Sequence, residues 1–500
     1  MAQTPDSPTP AETEAATGGL RRGRLGALGI VFFVVAASAP LVGMTGAVPV
    51  AIVLGNGAAA PGAYLAVGLI LLLFSVGYAA MSQRVTNAGA FFAYVGRGLG
   101  RHAGIASAFV SMLAYLAIQL AIYGFLGVVA AGQIGVLPWW AWALIAWALV
   151  TALSLLSVDV GAKVLGVLML LELASLLVTS VAILATGGPE GLNFAASFSP
   201  DQILVGGLAG SAGIAFAFAF ASFIGFEATA IYGEESRDPK RAVPRATYAA
   251  VIVITVLFAL TAFAMVTGMG SSAVVEQTLE RSGGLADPAA VLFSLASEYV
   301  GPWLATVMGI LVISSLFAGL LAFQNASARY FFAMARGGVL PAALARTNRR
   351  GAPTATLLTS IIAGLVIVLF AVLQLDPFLT LFSWFSGLAV LAIVLIEILV
   401  CIAVIVYFRA HRGDENVFQT MIAPVLAIIG LALGAYLLMS RFAILAGTAA
   451  EGVDPTITPW SMSAVGWLLV ALPFVVLVVG FVVSYARKST NEELLRDVIS

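Results

Sequence analysis

Charge is what this chain has least of. Asp, Glu, Lys and Arg together make up 9% of its 500 residues, where soluble domains carry about a quarter. A surface facing water cannot be built from so few polar groups, which excludes a soluble enzyme. The formal net charge of −1 offers no bulk attraction to nucleic acid. One cysteine, Cys401, has no intrachain partner and excludes a disulfide scaffold. The two histidines, His102 and His411, fall at the ends of apolar runs, so neither a histidine relay nor a metal cluster is available. A Ser/His/Asp set, a phosphate-binding glycine loop and metal-ligand spacing are also missing, and no cofactor or ATP hydrolysis is expected. What remains is apolar: 61% of the residues are hydrophobic and the mean hydropathy is +1.07. This is the composition of an integral membrane protein.

Near the N-terminus, Arg21-Arg22-Gly23-Arg24 precedes an apolar run and then Ala37-Ser38-Ala39, a pattern that mimics a signal peptide with its cleavage site. Pro40 follows at once and the apolar segment continues past Val53, long enough to span a bilayer, so it reads as the first membrane helix. Residues 1–20, rich in Pro, Thr, Ala and Glu, read as a disordered cytoplasmic tail, and 487–500 as a second tail. Between them, in a transporter domain over 21–486, apolar runs long enough to cross recur twelve times: 27–54, 62–82, 103–131, 139–158, 162–187, 206–232, 245–270, 302–333, 354–374, 378–408, 420–441 and 461–486. The runs are too long and lack period-two alternation for a β-barrel, so the fold class is all-α integral membrane.

Basic residues set the expected orientation. With the N-terminus inside, 21 of the 23 Lys and Arg residues fall on the cytoplasmic side or at helix ends facing it, and only Arg281 and Arg441 land outside. Both chain ends are therefore expected in the cytoplasm.

Two of the runs are poorly formed as helices. The first carries Ala39-Pro40-Leu41-Val42-Gly43-Met44-Thr45-Gly46-Ala47-Val48-Pro49 in its middle, and the sixth carries Phe220-Ala221-Ser222-Phe223-Ile224-Gly225-Phe226-Glu227. Interruptions five helices apart point to an inverted repeat, 27–187 against 206–408, with 420–486 as two appended helices. A broken helix 1 would present N–H groups and the positive dipole end to an anion such as a carboxylate. The outer half of helix 6 would present carbonyls to a cation such as an ammonium. Together they suit an α-amino acid zwitterion. Three acids lie inside the spans, Glu172, Glu227 and Glu397. Each is a functional-site candidate by default, because a carboxyl group there must be paired, neutralised or in contact with solute. The plain alternative is that each only caps a broken helix or locks packing. Gln119, Gln324 and Asn325 read as helix-to-helix ties.

Several strings resemble one family. Phe223-Ile224-Gly225-Phe226-Glu227 followed by Glu234-Glu235-Ser236-Arg237-Asp238-Pro239-Lys240-Arg241-Ala242-Val243-Pro244-Arg245-Ala246 closely resembles the sixth-helix signature of amino acid permeases of the amino acid–polyamine–organocation superfamily. Thr86-Asn87-Ala88-Gly89-Ala90-Phe91-Phe92-Ala93-Tyr94 resembles that family's loop between helices 2 and 3. Arg329-Tyr330-Phe331-Phe332-Ala333-Met334-Ala335-Arg336-Gly337-Gly338-Val339-Leu340-Pro341 resembles its segment after helix 8. The resemblance implies a five-plus-five inverted repeat of the leucine-transporter type working by alternating access. It places the substrate carboxylate at Gly43, Met44, Thr45 and Gly46, the ammonium around Phe220, Ala221 and Ile224, and a proton-linked acid at Glu227. This chain departs from the family pattern in three places: Gly43-Met44-Thr45-Gly46 stands for the usual Gly-Ser-Gly, Ala221 for a gating aromatic that Phe220 or Phe223 would replace, and Glu172 for a lysine in helix 5.

The resulting expectation is a permease of the cytoplasmic membrane for a neutral amino acid or small amine, with proton symport through Glu227 and Glu172 favoured over obligate exchange. Its partners would be that substrate, a coupling proton and membrane lipid. A channel or nutrient sensor on the same scaffold, or a membrane-embedded enzyme, is disfavoured.

Overall fold

The computed structural model describes residues 26–85, 90–156, 162–229, 236, 238–411 and 413–486. Both predicted tails lie outside them, as do Arg21, Arg22, Arg24, Arg237, Arg412, Arg487 and Lys488. So do Thr86 to Gly89 and Glu234-Glu235 from the motif strings.

The chain is helical almost throughout, with α1 Ala27–Ala37, α2 Ala60–Ser82, α3 Arg101–Ile134, α4 Trp139–Leu155, α5 Ala162–Thr186, α6 Ala212–Phe223, α7 Pro239–Met269, α8 Pro302–Arg336, α9 Ala355–Val372, α10 Ser383–Ala410, α11 Ala423–Ser440 and α12 Ala464–Ala486. Pairing of strand type includes two isolated bridges, Thr347 with Pro353 and Ala449 with Met462. Proline opens several helices at their first or second position (Pro61, Pro239, Pro302), where its missing N–H would have no intrahelical partner in any case.

Each of the twelve predicted runs overlaps one of these helices, although α1 and α6 fill only part of theirs. Nine described segments are long and apolar enough to cross a membrane by themselves, ten if a bent pair counts as one. The difference has identifiable causes. Helices 1 and 2 run together as one segment, Pro40–Ser82, bent where Gly55 leaves helical geometry (φ −103°, ψ −115°). Helix 4 has 17 residues. Helix 6 is preceded by Pro200–Ala209, set at 115° to Ala212–Phe223.

Helices α1 to α5 and α6 to α10 form two sets of five, each beginning with an interrupted helix, and α11 and α12 follow. Helix α7 lies along α2 and α1, α6 against α2, α3 against α8, α4 and α10, and α4 against α9. The appended pair covers this body from outside, α11 on α2 and α6, α12 on α3. Side chains that face away, such as Ile310, Leu365, Leu468 and Val482, are apolar and exposed, as lipid contact requires.

Candidate functional site

Helix 1 breaks at Ser38 and Ala39. Ala39 sits in the left-handed region (φ 42°, ψ 69°), a conformation that strains any residue with a Cβ. The chain restarts at Pro40–Val42 and continues through a π-helical turn at Gly43–Ala47, a short α-turn at Val48–Val50 and a second π stretch at Ala51–Asn56. The break therefore lies before Gly43, Met44, Thr45 and Gly46, which are wound into the helix and buried. Thr45 uses its hydroxyl on the Leu41 carbonyl, 2.7 Å away.

Helix 6 breaks at Ile224 and Gly225. Ile224 turns to ψ 126° and Gly225 takes φ 118°, open to glycine and strained for other residues. The Ile224 N–H bonds to the Ala221 carbonyl, so the carbonyls of Phe220, Ser222 and Phe223 leave the regular α-helical pattern. A single turn, Phe226–Thr229, follows. The two broken helices pack half on half: α6 lies against Gly43–Ala47 and Ala51–Asn56, and α1 lies against Phe226–Thr229.

Glycine lets these segments approach. A Cβ on Gly43 would come within 3.2 Å of the Ser222 hydroxyl, and one on Gly46 within 2.8 Å of the Phe125 ring. Phe125 in turn meets the tilted rings of Phe378 and Phe382 at the start of helix 10, and Phe218 of α6 stacks on Phe382. The Tyr64 and Ser222 hydroxyls share a hydrogen bond of 3.2 Å. Among the residues expected to bind the ammonium end, Ala221 is half-buried and Ile224 is buried. The two candidate gating rings are turned toward other helices. Phe220 lies against Gly434 of α11, and Phe223 meets Phe258 of α7 edge-on at 5.6 Å.

Each break is attended by an acid. Glu172, 3% exposed, accepts from the Ser315 hydroxyl of α8 at 3.0 Å and is approached by the Leu41 N–H. It thus joins α5 and α8 to the point where helix 1 restarts. Glu227, 1% exposed, accepts from the Gly225 N–H at 2.7 Å and from the Tyr115 hydroxyl of α3 at 3.1 Å, while the Tyr78 hydroxyl of α2 donates to its main-chain carbonyl at 2.7 Å. Two carboxyl groups at two breaks can tie protonation to the geometry of both broken helices. Glu397 of α10 is equally buried.

Gln119 and Gln324 are tied as expected, at 2.5 Å, and Gln324 also donates to Thr356, Thr359 and Ser360. Asn325, the third expected tie, is exposed on α8 because it lies one residue beyond the inward face. Sequence reasoning passed over Tyr78, Tyr115, Ser315, Ser222, Tyr64 and Phe125. A tyrosine one turn before Gln119 within an apolar run was the available signal for Tyr115. The others carry none, because their partners lie far away in sequence.

Opposed broken helices, each with a buried acid at its break, mark a helical membrane fold of the five-plus-five class. The family model described as "Amino acid permease" matches residues 29–495, and the chain belongs to that family. Relatives it is similar to include an uncharacterised transporter of Legionella pneumophila, 30% identical over 34% of each chain. Others are the branched-chain amino acid permease BcaP of Lactococcus lactis, 28% identical over 30% of each, and the amino-acid permease RocE of Bacillus subtilis, 26% identical over 44% of this chain and 45% of that one. The first matches thus span about a third of the relatives' own length. A solved manganese transporter of Eremococcus coleocola shares the fold, with TM-score 0.57 and 13% identity over 93% of this chain and 98% of that one.

Proposed function

We propose that this protein moves an amino acid across the cytoplasmic membrane by alternating access, with both chain ends inside, and that inward movement is coupled to a proton. The observation that carries the reading is the placement of Glu172 and Glu227. Each carboxyl bonds to, or faces, a backbone N–H at a helix break, so gain or loss of a proton there acts directly on the segments that would hold substrate. In this reading the substrate carboxylate meets the restarted helix 1 near Gly43 to Gly46. Its ammonium meets the carbonyls released around Phe220, Ser222 and Phe223. The surrounding side chains, Met44, Thr45, Ala221, Ser222 and Phe125, carry no fixed charge, which favours a neutral amino acid or a small amine. The branched-chain permease among the relatives agrees with a neutral side chain.

The test is uptake of a labelled amino acid panel by purified protein in liposomes, with and without an inward proton gradient. Accumulation in empty vesicles that collapses with the gradient is expected. Uptake only into preloaded vesicles, whatever the gradient, would replace symport by obligate exchange, and flux that does not saturate would mean a channel. Uptake confined to dicarboxylic amino acids would overturn the neutral assignment.

A further inference from the structure

The third acid has surroundings unlike those of the other two. Glu397 is 1% exposed, and its Oε2 has no hydrogen-bond partner among the described residues. It lies within electrostatic reach of Glu227 and of Cys401, one turn further along α10. This helix is held close to its neighbours. A Cβ on Gly77 of α2 would stand 3.3 Å from Val404, and the helix Ala90–Leu99 meets the Ala403 backbone through Gly98. Those two elements bring Tyr78 and Tyr94, whose rings lie 5.0 Å apart. Helices α3 and α8 bring Tyr115 and Tyr330, 5.4 Å apart, with Tyr123 two turns along α3. Arg97, Tyr436 and Tyr485, on other elements packed against α10, are exposed. The enclosure thus holds two carboxyl groups and phenols, with no buried basic side chain among the described residues.

Two carboxyl groups in such surroundings cannot both ionise at reasonable cost, and they titrate as a pair. Hydrogen bonding separates their roles. Both Glu227 oxygens accept from donors, Gly225 N–H and Tyr115 O–H, and such donors favour the ionised form. The Glu397 Oε2 meets no donor among the described residues, so the neutral acid suits it. We propose that Glu227 and Glu397 share one proton as a pair, with the charge on Glu227 and the proton on Glu397, so that Glu397 is the positioning residue that fixes the charge at the helix 6 break.

The pairing rests on the proton-coupled reading above and deepens it, yet its test needs no transport. Infrared spectra of the purified full chain at neutral pH would be compared for Glu397→Gln and Glu227→Gln, each in a Glu172→Gln background that removes that acid's contribution. The expected result is a protonated-carboxyl carbonyl band in the background protein that disappears with Glu397→Gln and persists with Glu227→Gln. Glu397→Asp, which keeps an acid, should move the band without abolishing it, and it covers the case in which the glutamine variant fails to fold. A background protein without the band, a band that neither Glu397 variant changes, or one removed by Glu227→Gln would overturn the pair. Uptake indifferent to a proton gradient would instead count against coupling and leave the band in place.

Discussion

At Gly225 the backbone adopts φ 118° so that its N–H can meet the side chain of Glu227 two residues later. Gly225→Ala should therefore destabilise the protein by about 1–3 kcal/mol, the usual cost of a strained φ, and slow uptake as well. A melting temperature equal to that of the parent protein would show that the turn can be made without glycine. Tyr115→Phe removes a hydroxyl and leaves a buried acceptor short of one donor, a loss of about 1–3 kcal/mol. Its melting temperature should fall, whereas Phe323→Leu, a neighbour of Tyr115 that takes no part in the hydrogen bond, should change it less. At this scale the acids were legible, because a carboxyl group within an apolar run is conspicuous. Their partners were not: Tyr115 lies 112 positions from Glu227, and Ser315 lies 143 from Glu172.

The two breaks differ in how well their sequences announced them. In helix 6 a glycine and an acid two residues apart make the turn and cap it, so the expected stretch and the observed one coincide. In helix 1 the prolines and glycines marked the longer stretch Ala39–Pro49, and the interruption lies at its very start, at Ser38 and Ala39, ahead of the Gly43–Gly46 segment to which the resemblance assigned the carboxylate. Pro40 explains the shift, since a proline at the first position starts a helix more readily than it ends one. Gly43 and Gly46 serve close packing, and π turns accommodate the segment around Pro49. Beyond the spans, Arg84 at the end of α2 makes two hydrogen bonds to Glu415, of 2.7 and 2.9 Å, joining α2 to the connection between α10 and α11. The Arg84 guanidinium holds the Glu415 carboxyl below its ordinary value of 4.5. A carboxyl lowered in the folded state stabilises fully above the unfolded value, and the contribution is lost as pH falls through the folded one. The difference in melting temperature between the parent and Glu415→Gln should thus be steady at neutral pH and shrink on acidification below about 4.5. A difference that grew in acid would refute the assignment.

The whole molecule was the most legible level, because the length and apolarity of its runs are set by the bilayer rather than by particular contacts. The orientation inferred from basic residues has a direct check. Cys401 is buried, 1% exposed, so the parent protein should react little with a membrane-impermeant maleimide. A cysteine at Glu451, in the exposed connection before α12, should be labelled in intact cells. One at the exposed Arg349, between α8 and α9, should be labelled only after the cells are opened. The reverse pattern would invert the topology.

Among the described residues, the buried acids of the spans have no buried base beside them; Arg441 lies just past the end of α11, bonded to the carbonyls of Ala209, Pro455 and Thr456. This one-sided inventory has an electrical meaning. Any carboxylate that shifts with helix 6 through the bilayer moves negative charge, with about 2.3 kcal/mol at stake per charge for each 100 mV crossed. An inside-negative potential pushes such a charge outward, so in the proposed proton-coupled cycle the resting voltage of a cell would favour the return of the empty protein toward the outside and oppose its passage inward until a proton or a cationic substrate had neutralised it.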